Sequence, residues 1–224
     1  MDPKELKRVA VVRFSAGGVL MGAIFFWTAG TFRYWQAWLY MATVLIPMIL
    51  VVRYLLRHDP GLLQRRMQNR EERGQQRVIK LVGGVAWIGI FLTPGLDRRF
   101  EWSSVPAVLV VVAAILVLTG YYITFLTVRE NRFAGRTIRV EEGQTVVTTG
   151  LYAVVRHPMY MGASLMLLFS PLALGSYPAL IPSLLVPVFL VLRILDEEKS
   201  LLKELPGYRE YTQETRHRLI PGVW

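Results

Sequence analysis

The chain has 224 residues, of which 53% belong to the hydrophobic set and 19% are charged, with a mean hydropathy of +0.37. Soluble domains carry charge on roughly a quarter of their positions, so the composition excludes an ordinary water-soluble globule, and a disordered or collagen-like chain with it. The 26 Lys and Arg against 16 Asp and Glu leave +10, which in so apolar a chain is a membrane-topology signal before it is a nucleic-acid signal.

The expected partners are accordingly the lipid bilayer and a lipophilic small molecule or lipid, with no nucleic acid. Cys is absent, which removes disulfides, thiolate metal sites, iron–sulfur clusters and a cysteine nucleophile. His58, His157 and His217 are far apart and lack HExxH spacing, so no metal is expected. Internal repeats, GxGxxG and Walker A segments are also missing.

A hydrocarbon layer of about 30 Å takes roughly 20 apolar residues per spanning helix. Apolar runs fall at about Val9 to Ala29, Tyr34 to Leu56, Ile79 to Leu96, Val105 to Val128, Met159 to Gly175 and Tyr177 to Leu195. The predicted fold class is therefore all-α, a polytopic integral membrane helical bundle of five to six spans with a C-terminal helical hairpin and a cytoplasmic C-terminal segment. Residues 1–128 are expected to form four N-terminal spans with a basic cytoplasmic loop at 57–80, and residues 129–224 a second region with the helical hairpin and the C-terminal segment.

The basic start (Lys4, Lys7, Arg8) and the small residues near Ala29 fit a signal peptide, yet further spans follow, so the first helix is expected to be retained. Within it Gly18-xxx-Gly22 permits close approach of another helix, though the pattern is too common to specify a dimer. The stretch from His58 to Arg77 is too polar to span, and with Leu62, Leu63 and Met67 as its apolar anchors it reads as a surface-lying helix. The last two runs carry Pro171, Pro178, Pro182 and Pro187 and read as a hairpin turning at Gly175-Ser176-Tyr177-Pro178.

Of the Lys and Arg residues, 23 fall before the first span, between Arg53 and Lys80, between Arg129 and Arg156, or from Arg193 onward. Only Arg33, Arg98 and Arg99 fall on the other side, so the positive-inside rule puts both termini and the two long connections in the cytoplasm. Trp27, Tyr34, Trp35, Trp38 and Trp102 stand where an aromatic belt would form at the outer interface.

Polar groups kept at an apolar boundary carry a free-energy cost and point to function. One such cluster runs from Gln144 through Arg156-His157-Pro158 to Gly162. Pro158 suits the first turn of a helix, with His157 at the cap, and the helix start together with Arg156 favours a carboxylate or other anion. A second cluster is Arg193 followed by Asp196-Glu197-Glu198, with Arg193 and Glu197 on one helical face; one carboxylate turned inward would hold an amino-bearing ligand, and a zwitterionic ligand would use both clusters. Tyr208 and Tyr211 fall on one face of a short helix suited to the interface or to closing a pocket mouth.

Together these pieces, Gly150-Leu151-Tyr152, Val155-Arg156-His157-Pro158-Met159-Tyr160-Met161-Gly162, Glu197-Glu198-x-x-Leu201, Pro206-Gly207-Tyr208-x-x-Tyr211 and Arg218-Leu219-Ile220-Pro221-Gly222-Val223-Trp224, resemble the isoprenylcysteine carboxyl methyltransferase family, within the wider group of integral-membrane methyltransferases that includes the phospholipid methyltransferases. The resemblance covers roughly Arg129 to Trp224. It implies S-adenosyl-L-methionine as cofactor, with Gln144, Gly150, Leu151, Tyr152, His157 and Tyr160 in the cofactor-binding set. Glu197 or Glu198 would meet the amino group or ribose, and Arg156 and Glu198 would be the catalytic pair nearest the reacting groups. Gln144 stands where some relatives have His.

Methyl transfer from a sulfonium is an in-line displacement that needs alignment and a dry pocket more than a strong base. A carboxylate acceptor is nucleophilic at neutral pH and Arg156 could orient it, whereas an amine would need a base, for which Glu198 or His157 is available. The alternatives are an NADPH-dependent membrane reductase of the sterol type, for which Arg129, Arg132, Arg136 and Arg139 would hold the phosphates, and a non-catalytic lipid-binding membrane protein. A transporter is not expected, since the long spans hold no mid-span charge and the two halves show no repeat.

Overall fold

The computed structural model describes residues 2–67, 76–133 and 143–224, with the side chains of residues 3 and 76–82 excepted. The rest of the predicted loop at 57–80, residues 68–75, and the expected phosphate ligands Arg136 and Arg139 lie outside the described residues. Secondary structure among the described residues is helical throughout: α1 Pro3–Ala29, α2 Trp35–His58, α3 Pro60–Met67, α4 Gln76–Phe100, α5 Ala107–Glu130, a 3₁₀ turn Gly150–Ala153, α6 Pro158–Ala173, α7 Leu180–Ser183, α8 Leu185–Glu204 and α9 Tyr208–Glu214.

Three of these, α1, α2 and α5, are both long and apolar enough to cross a membrane. At 1.5 Å per residue their 24 to 27 residues reach about 36–40 Å, enough for the hydrocarbon layer and its borders. Their outward faces carry large apolar side chains with no protein cover, among them Val108, Ile115, Ile46, Ile49 and Leu20. In water such a surface would drive aggregation; in lipid it is the matching solvent.

The predicted hairpin is present. α6 stops at Ala173, Gly175 turns with φ +75°, and the chain returns through α7 and α8. The return is broken at Leu184, and α8 runs past the end of the apolar stretch to Glu204, which lifts its acidic residues clear of the lipid-facing part. α3 forms where the polar connection was expected, with Leu62, Leu63 and Met67 as its buried residues. Those anchors pack on Leu6, Ala10, Leu55 and Val128, so α3 is clamped under the bundle, its start capped by the Leu62 N–H on Asp59 Oδ1 at 2.9 Å and its end by Arg13 Nη1 on the Met67 carbonyl at 2.7 Å.

Trp27, Trp35, Trp38 and Trp102 are exposed at one end of the bundle, as the belt pattern predicts, but Tyr34 is not part of that belt. It is 1% exposed and its hydroxyl donates to the Leu174 carbonyl at 2.5 Å, because the end of α6 offers a buried acceptor that must be satisfied. Nearby, buried Asp97 accepts the Ser103 N–H and hydroxyl, both at 2.7 Å, and the Ser176 hydroxyl at 2.5 Å, fastening the hairpin turn to the end of α4.

The tightest helix pairing is α5 against α6. A Cβ placed on Gly162 would sit 2.5 Å from the Gly120 carbonyl oxygen and from Thr124 Oγ1, and one on Gly120 would sit 2.5 Å from the Gly162 carbonyl oxygen. Only two glycines let the backbones meet there, as small residues do where packing rather than hydrophobic exclusion drives association in lipid. Gly18 and Gly22, the pair the sequence singles out, face the Leu45 and Met41 side chains at 3.4 and 3.2 Å instead of another backbone.

Gly162→Val should therefore force α5 and α6 apart and destabilise the protein by more than the usual 1–3 kcal/mol of core overpacking, read as a lower thermal midpoint in detergent. Gly17→Ala, with nothing within 4 Å of the new methyl, should leave the midpoint unchanged or raise it slightly; equal effects of the two would remove the crossing from its assigned place.

Candidate functional site

Pro158 occupies the first position of α6 with His157 as its N-cap, where a missing N–H costs nothing and a fixed φ is already helical. The residues just before this start do not leave their N–H groups open. Arg156 N donates to the His217 carbonyl and His157 N to the Arg218 carbonyl, both at 2.9 Å, so the C-terminal segment is stitched alongside the α6 entrance. That segment is closed on itself by Leu219 N and Ile220 N donating to the Trp224 carbonyl at 2.8 and 3.0 Å, with the Arg218 guanidinium 5.3 Å from the Trp224 ring centroid.

At the centre is Glu198 on α8, its side chain 6% exposed. Oε1 accepts Arg156 Nε at 2.7 Å and lies 3.3 Å from His157 Nε2, and Oε2 accepts Arg218 Nε at 2.8 Å. Burial alone would raise the carboxyl pKa, but the hydrogen bonds from His157, Arg156 and Arg218 outweigh it and hold the group at about 2. Arg156 is in turn fixed by Nη1 on the Thr215 and Arg216 carbonyls, each at 2.8 Å. The sequence reading aims Arg156 at an acceptor and Glu198 at an amino group; the structure joins the two directly, with Glu198 a permanently ionised anchor and a poor proton acceptor at neutral pH.

A second chain of bonds runs beside the first. Arg193 Nε donates to Tyr160 OH at 2.9 Å, and Tyr160 OH donates to Glu197 Oε2 at 2.5 Å. The expected Arg193–Glu197 relation on one helical face is thus bridged by a tyrosine from α6. The His157 and Tyr160 rings lie 5.7 Å apart, so the two chains are neighbours.

The turn Gly150–Ala153 adjoins this centre. Gly150 has φ +60°, which an L side chain rarely adopts, and its Cα faces the Glu130 carboxylate, which accepts the Thr149 hydroxyl. Leu151 is half-buried in the turn. Tyr152 OH accepts Asn131 Nδ2 at 3.0 Å, while the Tyr152 carbonyl accepts Tyr211 OH at 2.7 Å and Thr215 Oγ1 at 3.3 Å. Burial pushes the Tyr152 phenol up to about 12, keeping it neutral. Gln144 lies two residues before Val146, whose side chain packs on the Leu205, Tyr208 and Tyr211 cluster.

Tyr208 and Tyr211 are buried, at 4% and 3% exposure, with ring centroids 5.7 Å apart. They close over the site instead of anchoring in an interface. The Tyr208 hydroxyl is buried with no hydrogen-bond partner, as is Asp196 Oδ2 on α8. Burial first, and then the charge of Glu198, raise the Tyr208 pKa, so this orphaned hydroxyl is a neutral donor held against the ionic centre. Buried polar groups are nearly always satisfied, so the orphaned hydroxyl beside the Glu198 network is a candidate ligand contact.

The sequence reading places Arg156, His157, Tyr160, Glu197 and Glu198 in one site, and they lie in two adjacent chains of bonds, Arg156 and His157 on Glu198 and Tyr160 on Glu197. It does not assign Arg218, Thr215, Asn131 or the Tyr208 hydroxyl. Arg218 had a signal, its place in the Arg-Leu-Ile-Pro ending; Asn131 and Thr215 had none, because their work is done across sequence gaps of 21 and 63 residues. Arg132 of the proposed phosphate-binding set is highly exposed and 3.9 Å from Asp59 Oδ2, near α3.

Residues 108–209, from the first turn of α5 to the first turn of α9, match the family model PEMT, phospholipid methyltransferase, a family related to the isoprenylcysteine carboxyl methyltransferases. The match implies a methyltransferase, and no curated protein matches the chain. Among the described residues no group of His, Cys, Asp or Glu is arranged to hold a metal ion.

Because the folded pKa of Glu198 lies at about 2, below the ordinary 4.5, its stabilisation is present in full above pH about 4.5 and is lost as pH falls toward 2. Equilibrium unfolding in detergent should show this acid limb in wild type and not in Glu198→Gln. Removal of the carboxylate by Glu198→Ala, which strands two buried or half-buried guanidinium groups, should cost about 3–5 kcal/mol; a loss under 1 kcal/mol would show that the network does not hold the site together.

Proposed function

We propose that the protein transfers the methyl group of S-adenosyl-L-methionine to a lipophilic acceptor, the carboxylate of a prenylcysteine-like molecule or a lipid headgroup, at the cytoplasmic face of the membrane. The observation that carries the reading is the orphaned Tyr208 hydroxyl beside the Glu198 network, within a region matched by a methyltransferase family. The residues present fit the cofactor: Tyr208 OH is a neutral donor without a protein partner beside the Glu198 network, suited to the hydroxyl or carboxylate groups of an amino-acid nucleoside.

In this reading Gln144, Gly150, Leu151, Tyr152, His157 and Tyr160 surround the cofactor together with Glu197. Bound there, the cofactor supplies an electrophilic sulfonium methyl. Glu198 is a positioning residue: it fixes His157, Arg156 and Arg218, and through them the segment that closes the pocket. Arg156, already neutralised on one side by Glu198, adds positive potential near an anionic acceptor without needing to exchange a proton.

A lipophilic acceptor also needs an apolar place next to the polar one. A cavity of about 260 Å³ lies between α4, α6 and α8, lined by Ala86, Ile90, Leu167, Val186 and Phe189, and Arg193 is the charged group in its described lining. Arg193 bonds Tyr160, which bonds Glu197, so the cavity abuts the second chain of the site. An acceptor tail seated there would bring its headgroup toward Arg193 and Tyr160.

Calorimetry on detergent-purified protein should give saturable binding of S-adenosyl-L-methionine and S-adenosylhomocysteine and none of NADPH. Tyr208→Phe removes an unpartnered hydroxyl, so its thermal midpoint should match wild type while cofactor affinity falls about tenfold, the worth of one hydrogen bond. Binding of NADPH alone, or none of the three to a folded sample, would overturn the methyltransferase reading. With a deuterated-methyl cofactor and a membrane lipid extract, the labelled product should appear by mass spectrometry in the lipid phase.

A further inference from the structure

On another face of the bundle, outside the residues matched by the methyltransferase family, α1 and α2 enclose a groove of about 1060 Å³. Its floor is shallow where Gly18 and Gly22 of α1 meet Leu45 and Met41 of α2. From Lys7 to Phe26 it follows 19 residues of α1, about 28 Å of helix, close to the thickness of the hydrocarbon layer. One end is closed by aromatic rings, with Phe26 against Trp38 at 4.6 Å and Phe26 against Phe32 at 5.1 Å.

The other end is basic. Lys7, Arg53 and Arg57 all line the groove there and are solvent-exposed, and none has an acidic partner among the described residues. Three cations with no acidic partner among the described residues, at the mouth of a long apolar groove, match the two parts of one molecule, an anionic headgroup and an acyl chain. We propose that this groove is a binding site for an anionic phospholipid, its phosphate at Lys7, Arg53 and Arg57 and one chain laid between α1 and α2 toward Phe26.

A second copy of the chain is the other occupant with the right apolarity. Two copies in the same membrane orientation, paired through this groove about a twofold axis, would set Lys7, Arg53 and Arg57 against their own counterparts. That repulsion acts in the headgroup region, where charge is only partly screened, and a lipid removes it. Basic residues at a membrane border are attracted to an anionic leaflet, and here three converge on one groove.

The test is native mass spectrometry of the full chain released from detergent with dioleoyl-phosphatidylglycerol or dioleoyl-phosphatidylcholine. Wild type should retain one phosphatidylglycerol per chain at least tenfold in preference to phosphatidylcholine. R53A/R57A should lose the preference, while K4A/R8A, which removes the same charge from residues that do not line the groove, should keep it. Gly18→Phe should fill the groove and lose the bound lipid, with helicity by circular dichroism and S-adenosyl-L-methionine binding unchanged. Equal loss in the two double variants would assign the preference to overall charge and overturn the site. So would lipid-free dimers that Gly18→Phe dissociates, which would give the groove to a second copy.

Discussion

A single ionised carboxylate, Glu198, is the constraint on which the polar end of this protein depends. Three segments meet on its two oxygens: the α6 entrance through Arg156 and His157, α8 itself, and the C-terminal segment through Arg218. The Arg156 and Arg218 guanidinium groups would be expensive to bury alone, and the carboxylate would be too. Together they satisfy one another, and Arg156 passes the constraint on to the Thr215 and Arg216 carbonyls. Helices in lipid associate without a hydrophobic driving force between them, so a network of this kind is what fixes how the chain emerging from the bundle folds back across its end.

The network works only if α6 begins at the right depth, and that is set by a contact further along the same helix. Gly162 meets Gly120 backbone to backbone, which locks the register of α6 against α5. His157 lies five residues before Gly162, so once the crossing is fixed, the height of the Arg156-His157 pair at the membrane border is fixed with it. The end of α5 is tied to the same level through Asn131 and Tyr152. Two glycines with no chemistry of their own thus place the charged residues that have it.

Much of this was legible in the sequence wherever the determinant is local. The start of α6 at Pro158, the turn at Gly175 and the three anchors of α3 each follow from the residue at that position and its immediate neighbours. Two polar clusters, Arg156-His157-Tyr160 and Glu197-Glu198, were legible at the apolar border, and their sharing of one site was legible through the family resemblance. Their pairing was not. That Arg156 bonds Glu198 across 42 residues, and that Tyr160 stands between Arg193 and Glu197, depends on how α6 and α8 face each other, and no spacing within either helix encodes that. Tyr34 misled for the same reason: its position suits an aromatic belt, but a carbonyl 140 residues away takes its hydroxyl.

The charges also bear on which acceptor suits the proposed reaction. Around the site Arg156 and Arg218 are bonded to Glu198, and Arg193 reaches Glu197 through Tyr160, in a region closed by Tyr208 and Tyr211. Methyl transfer from a sulfonium to an anion removes a pair of opposite charges, whereas transfer to a neutral amine only moves one and leaves a proton to be disposed of. A site that excludes water favours the first, since separated charges are least stable where the dielectric is low. Glu198 is also a poor base for the second, because its hydrogen bonds keep it ionised down to a pH of about 2. For the proposed reaction, exclusion of water and an adjoining apolar cavity therefore favour an acceptor that is anionic at its head and lipophilic in its tail.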